Sequence, residues 1–188
     1  MLRVRKAGKV AFMKKIFILG LIGALSLLAS CQTTSERPAM KDLGSISTIF
    51  LVRHAEKTAE KNDPSLTMQG QQRAEQLADL LADAEITRIY SSDYVRTRDT
   101  AAPLAKQLGL DVEIYDAGDL QAIASKLRSE GERALVVGHS NTTPELVELL
   151  GGEGGEPIVE ATEYDRLYIV SKATEDGALT LLLRFGAR

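Results

Sequence analysis

From residue 45 onward, short apolar runs alternate with stretches whose apolar residues recur every three or four positions. Ser45 to Arg53 reads as a first strand: Ile46 to Val52 is apolar apart from Ser47 and Thr48, and the run ends abruptly in Arg53-His54. Asp63-Pro64-Ser65 predicts a turn, because proline fixes its own backbone and biases the preceding residue away from helix. A helix is expected from Met68 to about Ala84, where Ala74, Leu77, Ala78 and Leu81 fall at i, i+3, i+4 and i+7 on one face. Ile86 to Tyr90 is a short strand leading into Ser91-Ser92. Asp93 is placed to cap a helix over Tyr94 to Leu108, which Gly109 stops. Asp111 to Tyr115 alternates apolar and acidic residues, the pattern of a more exposed strand. Asp119 to Ser129 is helical, with Leu120, Ile123 and Leu127 on one side and an end near Gly131. Arg133 to Gly138 reads as a buried strand, and a helix runs from Thr143 or Pro144 to Leu150. A glycine-rich loop spans residues 151–155. Arg166 to Lys172 and Leu179 to Phe185 form a hairpin around Glu175-Asp176-Gly177.

Strands alternating with amphipathic helices predict an α/β fold: a three-layer sandwich with a mostly parallel central sheet and helices on both faces. The last two strands extend that sheet, one of them antiparallel. Open sheets of this kind bind ligands at the carboxyl ends of their strands. Three strand ends carry polar groups: Arg53-His54, Ser91-Ser92 leading to Arg96, and Gly138-His139-Ser140-Asn141. The two histidines of the chain are divided between the first and the third.

The amino-terminal part follows another pattern. Lys14-Lys15 precede an apolar run from Ile16 to Ala29, followed by small residues, the order of an export signal. The run is shorter than the roughly 20 residues of a comfortable membrane-spanning helix. It ends Leu28-Ala29-Ser30-Cys31, which resembles the lipobox of bacterial lipoproteins. That resemblance implies a signal peptide over residues 1–30, lipidation of Cys31, and retention at the outer membrane in a two-membrane cell, since Gln32 is not aspartate. An ordinary signal peptide with an incidental cysteine is the competing reading. Met13 opens a better signal than Met1, and both remain possible starts. Residues 31–44 are polar and read as a tether, leaving 45–188 as the folded domain.

Charge narrows the partners. Six of the 23 basic residues lie within residues 1–30, which hold no acid, leaving 17 basic against 26 acidic residues beyond them. So acidic a body has no general affinity for nucleic acid. A single cysteine excludes an internal disulfide.

The polar strand ends form motifs. Arg53-His54-Ala55, Leu66-Thr67-Met68-Gln69-Gly70, the run Ser91 to Ala101 containing Arg96, and Val137-Gly138-His139-Ser140 resemble, in order, four motifs of the histidine phosphatase superfamily, the phosphoglycerate mutase-like group. The resemblance covers most of residues 46–150. It implies a phosphohistidine mechanism with His54 as nucleophile. It departs from the family at Ala55, where glycine is usual.

The residues suit that chemistry. A phosphomonoester carries about two negative charges near neutral pH. Arg53 and Arg96 each offer a planar fork of donors to phosphoryl oxygens, and His139 adds another. His54 attacks phosphorus through one ring nitrogen while the other keeps its proton on an acceptor, a nearby backbone carbonyl. Water then hydrolyses the phosphohistidine, so that one difficult step becomes two easier ones. The resemblance places a general acid near residues 112–119: Asp116 is the first candidate, Asp119 the second, and Glu56 a third from the residues themselves. Lys57 and Asn141 are further candidates for substrate contact. No cofactor and no metal is expected, because arginines beside a cation are unfavourable.

The expected function is an exported, membrane-anchored phosphatase acting on a phosphorylated small molecule or envelope component. The alternative is a non-catalytic envelope protein that binds phosphate on the same fold.

Overall fold

The computed structural model describes residues 47–174 and 177–186. The expected signal peptide (1–30), tether (31–44) and lipidated Cys31 lie outside the described residues, as do Glu175 and Asp176 of the hairpin tip. In chain order the elements are β1 (Thr48–Arg53), α1 (Met68–Leu81), β2 (Arg88–Ser92), α2 (Val95–Leu108), β3 (Val112–Tyr115), α3 (Leu120–Glu130), β4 (Arg133–Gly138), α4 (Thr142–Leu149), β5 (Arg166–Thr174) and β6 (Gly177–Arg184). They build one six-stranded sheet in the order β3-β2-β4-β1-β5-β6. β1 to β4 pair in parallel, β5 runs antiparallel to β1, and β6 antiparallel to β5.

Strand side chains alternate between faces, and the two faces feed two cores. Ile49 and Leu51 of β1 join Ala134 and Val136 of β4 against α3 and α4. Phe50 and Val52 join Leu135 and Val137 against α1 and α2. β1 is buried along its whole length because it lies between β4 and β5 with both faces covered. β6 forms one margin of the sheet and leaves Leu179, Leu181, Leu182 and Leu183 exposed.

Several local expectations shift. α1 stops at Leu81, three residues before the expected end, and the chain turns through Ala84 into Glu85 at φ 54°. Ser91 and Ser92 belong to β2 itself, opposite Ile114 and Tyr115 of β3. Asp93 does not cap α2, because its carboxylate is engaged by Arg98. The cap comes instead from Asp63, whose Oδ1 accepts from Val95 N–H at 2.9 Å. Asp119 does cap α3, accepting from Ala122 N–H. The glycines of the 151–155 loop are not all there for freedom, since a Cβ at Gly154 would lie 2.7 Å from the Pro144 carbonyl oxygen.

Candidate active site

The ends of β1 and β4 are joined by a hydrogen bond from His54 N–H to the Gly138 carbonyl, 2.9 Å. That bond sets His54 and His139 side by side, with ring centroids 5.6 Å apart. α2 is tied to the same place. Thr100 Oγ1 accepts from Ala55 N–H at 3.0 Å and donates to the Arg96 carbonyl at 2.7 Å. The three polar strand ends therefore meet around one cavity of about 410 Å³, lined among others by His54, Lys57, Tyr94, Arg96, His139 and Asn141.

Ala55 replaces the expected glycine without strain, because its φ is not positive and it packs with Leu66 and Ala74. Gly70 is less replaceable. A Cβ there would lie 2.2 Å from the Glu56 carbonyl oxygen, so the start of α1 can lie on the backbone after β1 only with glycine. Thr67 completes that junction. Its N–H donates to the same carbonyl, and its hydroxyl accepts from Gly70 N–H.

His54 is buried, 3% exposed. Its Nδ1 lies 2.7 Å from the Ala55 carbonyl oxygen. A carbonyl only accepts, so Nδ1 carries the proton and Nε2 keeps a lone pair. Burial is the main force holding the His54 pKa down to about 3; the bond to Ala55 opposes it, and Arg53 and Arg96 add to the lowering. His139 is held to about 4, by burial first and then by Arg96 and Arg53. Both rings are therefore neutral in the empty site near neutral pH.

Each arginine lies over a tyrosine. The Arg53 guanidinium carbon is 4.0 Å from the Tyr164 ring centre, and that of Arg96 is 4.4 Å from the Tyr94 ring centre. Stacking of this kind orients a planar cation. The arginine forks are not equally free. Arg53 donates through Nη1 to the Glu163 carbonyl (2.9 Å) and through Nη2 to the Glu160 carbonyl (2.7 Å). Arg96 Nη1 lies 3.6 Å from Asp63 Oδ1. The Nε atoms of both are buried and have no hydrogen-bond partner among the described residues. A buried donor left unpaired costs about 1–3 kcal/mol. Arg96 lines the cavity beside the two histidines, whereas Arg53, 2% exposed, lies behind its wall.

The acid candidates sit elsewhere. Asp116 lies on the turn that sends Ala117 and Gly118 to the cavity, but its carboxylate is exposed and accepts from Gly118 N–H at 2.8 Å. Asp119 is occupied as the α3 cap. Glu56 forms a close ion pair with Arg73, 2.7 Å, and faces away from this cavity into a neighbouring one. The carboxylate that does line the cavity is Glu160, 65% exposed, 3.5 Å from Arg53 Nη2 and 3.9 Å from Lys57 Nζ. Sequence reasoning missed Glu160, Tyr164 and Tyr94. Nor did it give Ser92 a role in the site, although Ser92 Oγ lies 2.9 Å from His139 Nε2. The Ser91 to Ala101 motif held the signal for Ser92 and Tyr94; residues 156–165 held none.

The fold and this cluster define an α/β protein whose paired histidines and arginines meet at the carboxyl edge of the sheet. Residues 49–118 match the family model described as histidine phosphatase superfamily (branch 1). A curated Escherichia coli relative, "Probable phosphoglycerate mutase GpmB", is 41% identical over 76 residues, covering 37% of this chain and 35% of the relative. The match thus spans about a third of that relative's length. Among solved structures, the protein histidine phosphatase SixA complexed with tungstate superposes with a TM-score of 0.59 at 22% identity, covering 73% of this chain and 96% of SixA. A mycobacterial glucosyl-3-phosphoglycerate phosphatase gives 0.58 at 15% identity, covering 76% of this chain and all of that one. At such identities these structures show the shared fold.

Proposed function

We propose that this protein is a phosphatase that hydrolyses a phosphomonoester through a phosphohistidine on His54. The observation that carries the reading is a buried, neutral histidine with Nδ1 tied to a carbonyl, so that its bare Nε2 is the nucleophile. Arg96, the free Nε–H of Arg53 and His139 receive the phosphoryl oxygens and the charge that spreads over them in the transition state. Lys57 and Asn141, on the cavity wall, contact the rest of the substrate. Water cleaves the P–N bond in the second step.

Protein incubated with an aryl phosphate carrying a labelled phosphoryl group, then quenched in alkali, should retain label that acid removes. That is the behaviour of a phosphoramidate. Acid-stable label would mean a hydroxyl nucleophile, and turnover of a phosphate ester chiral at phosphorus with inversion of configuration would mean direct attack by water.

The same reading places the enzyme at the cell envelope, with residues 45–188 hanging from a lipidated Cys31. The support is the basic, apolar, small-residue order before that cysteine. The substrate is then a phosphorylated small molecule or envelope component, and a cytoplasmic mutase role is disfavoured. Cys31→Ser should leave the protein unprocessed or release it from membranes. Wild-type processing together with wild-type fractionation would overturn the anchor.

A further inference from the structure

Ser92 is fully buried at the end of β2, and its hydroxyl bridges two groups. His139 Nε2 lies 2.9 Å away on one side and Thr97 Oγ1 3.2 Å away on the other. Thr97 Oγ1 in turn lies 2.7 Å from the Ser92 carbonyl and 2.9 Å from the Tyr94 carbonyl. Carbonyls only accept, so the Thr97 proton goes to one of them. A lone pair of Thr97 then faces Ser92, and the Ser92 proton goes to Thr97. What Ser92 turns toward His139 is a lone pair, which requires a proton on Nε2. Only this direction uses every contact: Nε2–H to Ser92, Ser92 to Thr97, Thr97 to a carbonyl. Reversing it sets two oxygens 3.2 Å apart with no proton between them.

The other nitrogen of that ring, Nδ1, has no hydrogen-bond partner among the described residues, and the ring lines the cavity. In the neutral ring Nδ1 holds a lone pair, which repels a phosphoryl oxygen. From this we infer that Ser92 is a positioning residue: it fixes His139 as the Nε2–H tautomer, so that binding a phosphoryl dianion draws a proton from solvent onto Nδ1. The inference rests on the phosphatase reading of the same site. The charged and titratable groups around His139 are Arg53 and His54 from β1, Arg96 and Tyr94 at the start of α2, and Lys57 and Glu160 across the cavity. Arg96 and Arg53 keep the ring neutral when the site is empty. The dianion reverses that field, and both N–H groups of the imidazolium then have acceptors.

The test uses ¹⁵N spectra of His139 in the folded protein, and binding of sulfate, a dianion that does not titrate near neutral pH. Wild type should show Nε2–H in the empty protein. Sulfate should bind with uptake of about one proton, its affinity falling about tenfold per pH unit between the pKa of the free ring and that of the complex and levelling off above the latter. In Ser92→Ala the empty protein should show mixed tautomers. Proton uptake should fall and the pH profile should flatten, because a neutral Nδ1–H ring can then serve the anion. Ser92→Thr, which keeps the hydroxyl, should restore the wild-type slope. An Nδ1–H tautomer in wild type overturns the proposal, as does sulfate binding without proton uptake. Because the tautomer is read without ligand, a protein that binds no sulfate yet shows Nε2–H would sink the phosphatase reading and leave the role of Ser92 standing.

Discussion

His54→Gln should lower kcat/KM for a chromogenic aryl phosphate by roughly 10⁴-fold or more, the scale of loss when a covalent nucleophile is removed. Glutamine can still donate to the Ala55 carbonyl that holds Nδ1, so the end of β1 should keep its geometry. What disappears is the bare nitrogen. The anion donors of Arg96 and His139 are untouched, so inorganic phosphate should bind within a few-fold of wild type. A variant that turns over within tenfold of wild type would show that water attacks phosphorus directly and that His54 only shapes the pocket.

Arg96→Lys should cost about 10²–10³-fold in kcat, with a smaller change in KM. The charge survives this exchange, but the plane does not. Lysine cannot stack flat on Tyr94 as the guanidinium does at 4.4 Å, and it has no Nε–H held rigidly in place of the buried unpaired one. Its compact ammonium moves with a flexible stem and meets one oxygen at a time. The interaction lost belongs to the transition state, when negative charge spreads over the equatorial oxygens, so the loss falls on turnover. An equal rise in KM with kcat unchanged would mean that Arg96 binds substrate and transition state alike.

The layers of the fold were legible in the sequence because they rest on periodicity. β4 runs from Arg133 to Gly138 as read, since a buried parallel strand is a continuous apolar run. Gly109 and Gly131 mark the ends of α2 and α3 because both adopt the left-handed conformation that glycine favours. The meeting of His54, Arg96 and His139 was legible from their positions at strand ends. Contacts set by distance along the chain were not. Asp63 caps α2 from 32 residues away, and the carbonyls that hold Arg53 lie 107 and 110 residues away. Glu160 enters the cavity on a segment without periodic pattern or motif, and its position follows from backbone that Arg53 gathers in. Asp116 and Glu56 stood out in sequence as acids near motifs. The structure gives the first a turn to close and the second an arginine partner.

In the proposed mechanism Arg53 has two obligations, and only arginine has the donors to meet both. Its two terminal nitrogens hold the segment that brings Glu160 and Tyr164 to the cavity, and its Nε–H remains. A descendant that had lost turnover would still need that latch, so ancestry could preserve Arg53 for architecture alone. His54 has no such second employment. Among the described residues its ring hydrogen-bonds only to the carbonyl of its own neighbour, Ala55. Of the pair at the end of β1, the histidine is thus the witness to chemistry and the arginine the witness to lineage.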